Sequence, residues 1–257
     1  MTTLDKQRYE LHMPPSGNGA VLDQDEEWCE IEIDGERRRI RLHDYAAIYA
    51  VPGLYEQLFA ERLECTSPDV VCDLLGEALE DAGTKPAAMA VLDFGAGNGM
   101  IGERLQRIGF DTIVGIDLLE EARDAALRDR PDVYDDYHAL DLTALGDEDR
   151  AALGAHDFHC LACVAALGFG DVPQLAFAEA FNLVRDPGWL AFNLRDRILD
   201  AAEPDSFGSL IERMLAEGVI EERARSRYTH RVSIAGEPLE YVAIVAGKRR
   251  DIPLDWV

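Results

Sequence analysis

The spacing of hydrophobic positions changes along this chain, and each change marks a different kind of element. From Trp28 to Leu42 apolar and polar residues alternate: Cys29, Ile31 and Ile33 stand between acids, Asp34-Gly35 supplies a tight turn, and Ile40 and Leu42 alternate with arginines. Strict alternation puts every second side chain on one face, which predicts a two-stranded hairpin. Its Arg37, Arg38 and Arg39 read as a solvated edge rather than a binding patch. Before it, residues 1–26 are polar, hold Pro14, Pro15, Gly17 and Gly19, and keep no period, which predicts a flexible N-terminal tail.

After the hairpin the spacing becomes helical. Asp44 is placed to cap a short helix through Tyr49, Pro52-Gly53 breaks it, and Leu54, Leu58, Ala60 and Leu63 continue an amphipathic segment toward Cys65. Ser67-Pro68 then opens another helix toward Gly83, with serine as cap and proline at the first helical position. Residues 27–86 thus predict an N-terminal hairpin and helical lid.

From Ala87 onward strand-like and helix-like segments alternate. Strands are expected at 88–93, 112–117, 134–140, 157–164 and 189–194, with helices near 99–109, 119–129, 147–153 and 174–185. Such alternation predicts an α/β fold with a mostly parallel, Rossmann-like sheet covered by helices on both faces, and ligands at the carboxyl ends of its strands. A helix from Ser206 to Glu217 precedes two strand-like runs, Arg225–Ile234 and Leu239–Gly247, parted by Ala235-Gly236-Glu237-Pro238. This C-terminal antiparallel hairpin departs from the ending of a dinucleotide dehydrogenase, and residues 87–257 are expected to form one catalytic domain.

The strongest chemical signal lies at the first of these strands. Val91-Leu92-Asp93-Phe94-Gly95-Ala96-Gly97-Asn98-Gly99 runs from an apolar strand through glycines into a helix. Glycines there let the backbone turn sharply and approach a nucleotide-like ligand. Two patterns overlap: Gly97, Gly99 and Gly102 fit G-x-G-x-x-G, whereas Gly95, Gly97 and Gly99 fit G-x-G-x-G behind a strand-end acid. Asp93 favours the second, since a carboxylate suits the ammonium of an aminoacyl ligand and repels a pyrophosphate. An NAD-dependent oxidoreductase and a non-catalytic nucleotide-binding module of the same fold remain the alternatives.

Two more acids follow at strand ends. Asp117 closes Thr112–Asp117, 20 residues after Gly97, where a carboxylate accepts both hydroxyls of a ribose. Asp141, between Leu140 and Leu142, is placed to accept from an adenine amino group while leucines clasp the ring.

With DFGAGNG, GIDLLEEA and ALDLTAL in this order, residues 87–248 resemble the class I S-adenosylmethionine methyltransferases, and most closely the Williams-Beuren-region methyltransferase-like proteins. FHCLACVAALGFGDVP and RDPGWLAFNLRDR are similar to that family's fourth and fifth strands. The resemblance implies S-adenosyl-L-methionine as cofactor, bound by Asp93, Gly95, Gly97, Gly99, Asp117, Leu118, Asp141, Leu142 and Val164. It also places Tyr49, from His43-Asp44-Tyr45-Ala46-Ala47-Ile48-Tyr49, on a tyrosine that covers the donor's methionine moiety; His43 departs from the family's other tyrosine. Phe158-His159 replaces the family's usual Phe-Asp, and His159 reads as structural, being near the wrong end of its strand.

Composition narrows the partners. Net charge is −25 over 257 residues, a surface that repels nucleic acid and anionic membrane, so a small-molecule methyl acceptor is expected. The first residues lack the form of a signal peptide, and the longest nearly apolar run, Cys160–Gly170, is far short of the ~20 residues that cross a bilayer, so a cytoplasmic protein is expected. Five cysteines without an export signal read as free thiols. The pair Cys160 and Cys163 would point to opposite faces of a strand, which suits neither metal nor redox chemistry; no metal site is expected. Arg195 and Arg197 are expected to pair with Asp196, Asp200 or Glu203, and Arg223, Arg225 and Arg227 to line a solvated strand face. For proton removal His43, Tyr55, His138 and His230 are unranked candidates, and no catalytic residue is assigned.

Overall fold

Short, mainly apolar segments lie side by side because each can bury its faces only between neighbours and helices. In the computed structural model, which describes residues 8–14, 26–33, 35–167, 172–197 and 206–257, these segments are β4 (Ala90–Phe94), β5 (Thr112–Asp117), β6 (Asp136–Ala139), β7 (Phe158–Cys163) and β8 (Gly188–Arg195). They pair in parallel, with Asp93 level with Gly115 and Ala162. Two long antiparallel strands, β9 (Ile220–Val232) and β10 (Pro238–Lys248), complete a seven-stranded sheet of order β6-β5-β4-β7-β8-β10-β9. Chain order reverses between β5, β4 and β7, which makes the carboxyl end of β4 the switch point where such sheets hold ligands.

Helices cover both faces. On one, Leu92, Leu161, Cys163 and Phe192 pack with Phe177 and Phe181 of α6 (Gln174–Asn182) and Ile211 of α7 (Phe207–Ala216). On the other, Val91, Ile113 and Cys160 pack with Leu75 of α2 (Ser67–Asp81) and Leu105 of α3 (Met100–Arg107). Cys160 and Cys163 therefore do point to opposite faces, each buried, free and with its thiol pushed up by burial. Helices α4 (Glu120–Asp129) and α5 (Asp147–Gly154) complete the alternation.

The N-terminal hairpin forms as β2 (Trp28–Ile33) and β3 (Glu36–Arg41), and Asp34 lies outside the described residues. Its inward Cys29, Ile31 and Ile40 pack on Ile48, Leu54, Leu58 and Phe59 of the helical segment that follows. Asp44 caps α1 (Tyr45–Tyr49) by accepting from the Ala47 amide. The segment after Pro52-Gly53 is a π-helix, Glu56–Arg62.

Three expectations change. Residues 8–14 are not a loose tail: Leu11–His12 forms β1 against β2, and Gln57 bonds both the amide and the carbonyl of a buried Tyr9. Residues 1–7 and 15–25, with Pro15, Gly17 and Gly19, lie outside the described residues. Ser67 is not the cap of α2; that position is Thr66, and the Ser67 hydroxyl turns inward to Tyr228 and His230. Finally, β9 begins five residues before the expected Arg225, because its exposed face is charged and hides the period. Among the described residues no helix is long and apolar enough to cross a membrane.

Candidate functional site

Beyond β4 the chain turns through Gly95, Gly97 and Gly99 with φ of +74°, +54° and +87°, a region L side chains rarely enter. Space is short as well: a Cβ at Gly95 would stand 2.9 Å from that of Ala166, and one at Gly97 2.5 Å from the Tyr49 hydroxyl. Neighbours pin the turn. The amides of Gly95 and Ala96 donate to the Ile116 carbonyl at 2.8 and 3.0 Å, and Tyr137 donates to the Gly97 carbonyl at 2.7 Å. Arg130 donates to the Asn98 carbonyl at 2.9 Å.

Asp117 ties this turn to the next unit. Its Oδ2 accepts from the Gly97 amide and its Oδ1 from the Leu119 amide, each at 3.0 Å, and each oxygen keeps a second lone pair. Burial holds its carboxyl above the usual range, against these amide bonds. Asp141 is exposed at the start of a short turn; bonds from the Thr143 hydroxyl and amide, at 2.7 and 2.9 Å, hold its carboxyl below the usual range.

Between these acids opens a cleft of about 330 Å³, with Tyr49, Gly95, Asp117, Leu118, Asp141, Leu142 and Val164 in its wall. A recess of about 40 Å³ continues past Gly97 to Asn98, Met100 and Cys65. The structure thus gathers eight of the expected residues, but not Gly99, which faces Tyr134 and Arg130 behind the turn. Asp93 also departs from expectation. It has no exposed surface and lines neither space; its Oδ2 accepts from Tyr134 at 2.8 Å. Burial, with Asp117 adding, pushes its carboxyl up to about 7 against that bond. The carboxylate thus stands behind the turn, and its Oδ1 has no hydrogen-bond partner among the described residues.

The N-terminal segment supplies more of the wall than the sequence signalled. Tyr45, Tyr49, Tyr55 and Phe59 form a run of rings, with Tyr49 and Tyr55 centroids 5.2 Å apart. Arg128 donates to the Tyr49 carbonyl at 3.2 Å and Arg130 to Glu56 at 2.8 Å, fastening α1 and the π-helix to the sheet domain. Ala165, shared by cleft and recess, has φ +59°, and its amide donates to Asn193 Oδ1 at 2.6 Å. Asn193 in turn donates to Ser67 and Tyr228, and Ser67 lies 2.6 Å from His230 Nδ1.

Of the proton-transfer candidates, Tyr55 alone lines the cleft, and burial pushes its phenol well up. Burial lowers His230 to about 3, in the network behind the wall. His138 joins Asp136 and His156, whose ligand atoms lie within 4.8 Å of one another, outside the cleft wall. His43 lies near Tyr45 in a tilted arrangement, 5.9 Å between ring centroids. His159 sits at the far end of β7, accepting from the Ala90 amide at 3.3 Å. Arg223 and Arg225 pair with Glu221 and Glu222 on the solvated face of β9. Asp196 pairs with Arg227 rather than with a neighbouring arginine, and Asp200 and Glu203 lie outside the described residues.

Residues 92–192 match the model of a methyltransferase domain. A curated relative, the ubiquinone biosynthesis O-methyltransferase of Thiobacillus denitrificans, is 32% identical over 111 residues. That match covers 43% of this chain and 46% of the relative, so the chain spans about half of the relative's length. Among solved structures, the Thermoplasma acidophilum protein 1320 aligns with a TM-score of 0.50 at 14% identity, over 75% of this chain and 94% of that one. A putative RNA methyltransferase from Pyrococcus horikoshii aligns with a TM-score of 0.50 at 14% identity, over 70% and 84%. At these identities the structural likeness lies in the fold.

Proposed function

We propose that this chain is an S-adenosylmethionine-dependent methyltransferase that methylates a small molecule by direct in-line transfer. The observation that carries the reading is the bond from the Gly97 amide to Asp117, which joins the glycine turn and the second strand-end acid into one wall of the cleft. The cofactor is S-adenosylmethionine, and the chain's residues fit it. The turn at Gly95 and Gly97 is a cradle that any Cβ would obstruct, and the buried Asn98 amide nitrogen beside the recess has no hydrogen-bond partner among the described residues. Asp117 keeps lone pairs for two ribose hydroxyls, while Leu118, Asp141 and Leu142 border the space an adenine ring needs.

In this reading Gly95 and Gly97 bring the backbone against the donor, Tyr49 roofs its methionine part and Val164 lines the pocket beside it. Gly99 and Asp93 shape the turn from behind, Asp93 through Tyr134. The bound group supplies an electrophilic methyl on a sulfonium. The protein's part is to hold the acceptor in line and keep water out, for which the ring-lined lid is suited. Tyr55 keeps its proton at neutral pH, so it serves as a hydrogen-bond donor to an acceptor and not as a base.

A small acceptor agrees with the cleft's volume of about 330 Å³ and with the charge of −25, which opposes a polyanionic substrate. The finer likeness to the Williams-Beuren-region methyltransferase-like proteins belongs to the same proposal and rests on Tyr49 covering the turn. An oxidoreductase reading of the same glycines is not favoured, since the methyltransferase match spans β4 to β8. The test is a methyl-release assay against phenols, carboxylic acids and amines, with bulk RNA and protein as comparators. Turnover is expected on a small molecule; turnover confined to RNA or protein would contradict the acceptor class.

A further inference from the structure

We propose a second binding site, for a phosphorylated small molecule with a flat ring, at the end of the sheet opposite the donor cleft. A cavity of about 440 Å³ opens there, in the range of small-molecule sites, where β8 begins and β10 ends. It lies apart from the cleft and shares no lining residue with it.

Its charge runs against that of the molecule. In a chain of net charge −25, the cavity is bordered by Lys85, Arg185, Arg223 and Arg249, and among the described residues no acidic one lines it. Nearby carboxylates neutralise this group only in part. Arg223 and Arg249 share a single oxygen of Glu221, and Arg185 reaches Asp157 at 3.7 Å, both side chains being exposed. Lys85 has no ion-pair partner among the described residues. The buried Lys248 is already spent on the Phe181 and Val184 carbonyls and Asp251. Guanidinium groups held as a set, with donors to spare, suit phosphate oxygens.

The walls add a place for a ring. Trp189 of β8 is half-buried in the lining, beside the apolar Met89 and Pro187. Gly247 of β10, directly opposite Trp189 in the ladder, keeps the floor open. No positive φ and no close contact requires glycine there: a Cβ would meet Arg223 only at 3.5 Å. What the glycine leaves is room over an indole beside arginines, an arrangement for stacking a flat ring with its phosphates on the rim.

The site does not rest on the methyltransferase reading. The test is calorimetry at low salt with GTP, guanosine and tripolyphosphate, with and without S-adenosylhomocysteine. GTP should bind equally in both conditions and at least tenfold more tightly than guanosine or tripolyphosphate. Arg185→Glu combined with Arg223→Glu should weaken GTP at least tenfold, as should Gly247→Val by filling the floor, while thermal unfolding stays cooperative. Absence of GTP binding, its displacement by S-adenosylhomocysteine, equal binding of guanosine, or full affinity in both cooperatively unfolding variants would overturn the proposal. Failure of S-adenosylhomocysteine to bind would count against the donor reading alone and leave the GTP result standing.

Discussion

The Tyr49 hydroxyl stands over Gly97 so closely that a Cβ at the glycine would lie 2.5 Å from it. Lid and glycine turn therefore meet at a position where neither backbone nor space tolerates a side chain. Gly97→Ala is expected to lift Tyr49 and to strain the turn, costing ~1–3 kcal/mol of stability and most of the donor affinity. Denaturant unfolding and calorimetry check this; an alanine variant with parental stability and binding would contradict it.

Asp117→Asn keeps the shape but loses charge and one of two acceptors for the Gly97 and Leu119 amides. Donor affinity should fall by ~1.5–3 kcal/mol, the usual scale for charged hydrogen bonds. Calorimetry on the variant decides it, and unchanged affinity would remove Asp117 from the ribose role.

Asp93 makes a pH dependence. Its ordinary value is 3.8 and burial raises it to about 7, so between these values the folded chain holds a proton the unfolded chain has released. That contribution is full below about pH 4, is lost as pH rises to 7 and stays lost above. Asp93→Asn cannot ionise and can still accept from Tyr134. Its melting temperature relative to the parent should therefore climb from pH 4 to 7 and level off. A flat difference across that range would contradict the raised value.

Arg130 and Glu56 form an ion pair in which both side chains are only 9% exposed. Removing the cation by Arg130→Ala leaves Glu56 buried without it and should cost ~3–5 kcal/mol. Amide exchange should quicken from Glu56 to Arg62. Parental exchange in that π-helix would show that the lid is held by its apolar contacts alone.

The sequence made the repeating unit legible because period and punctuation agree: Thr112–Asp117 is a strand in both readings, bounded by Gly109 and a helix. The three strand-end acids look alike in sequence, yet they differ in space. Asp117 and Asp141 lie toward the sheet's edge and reach the cleft. Asp93 lies in β4, one strand further in and with no exposed surface, and Tyr134 arrives from 41 residues away. Ser67 carries the local marks of a cap, but its partners are on β9, more than 160 residues on. Tyr9 and Leu11 hide in a proline-bearing segment because a two-residue strand is too short to show a period. Tyr45 and Tyr55 follow the lid's helical spacing, so nothing local separates wall residues from packing ones.

The most direct test of the donor reading is calorimetry of the full chain with S-adenosylmethionine, S-adenosylhomocysteine and NAD. Both sulfur nucleosides should bind in the micromolar range, ~8 kcal/mol, and Gly97→Val should abolish their binding while NAD shows none with either protein. Binding of NAD without binding of either sulfur nucleoside would contradict the account.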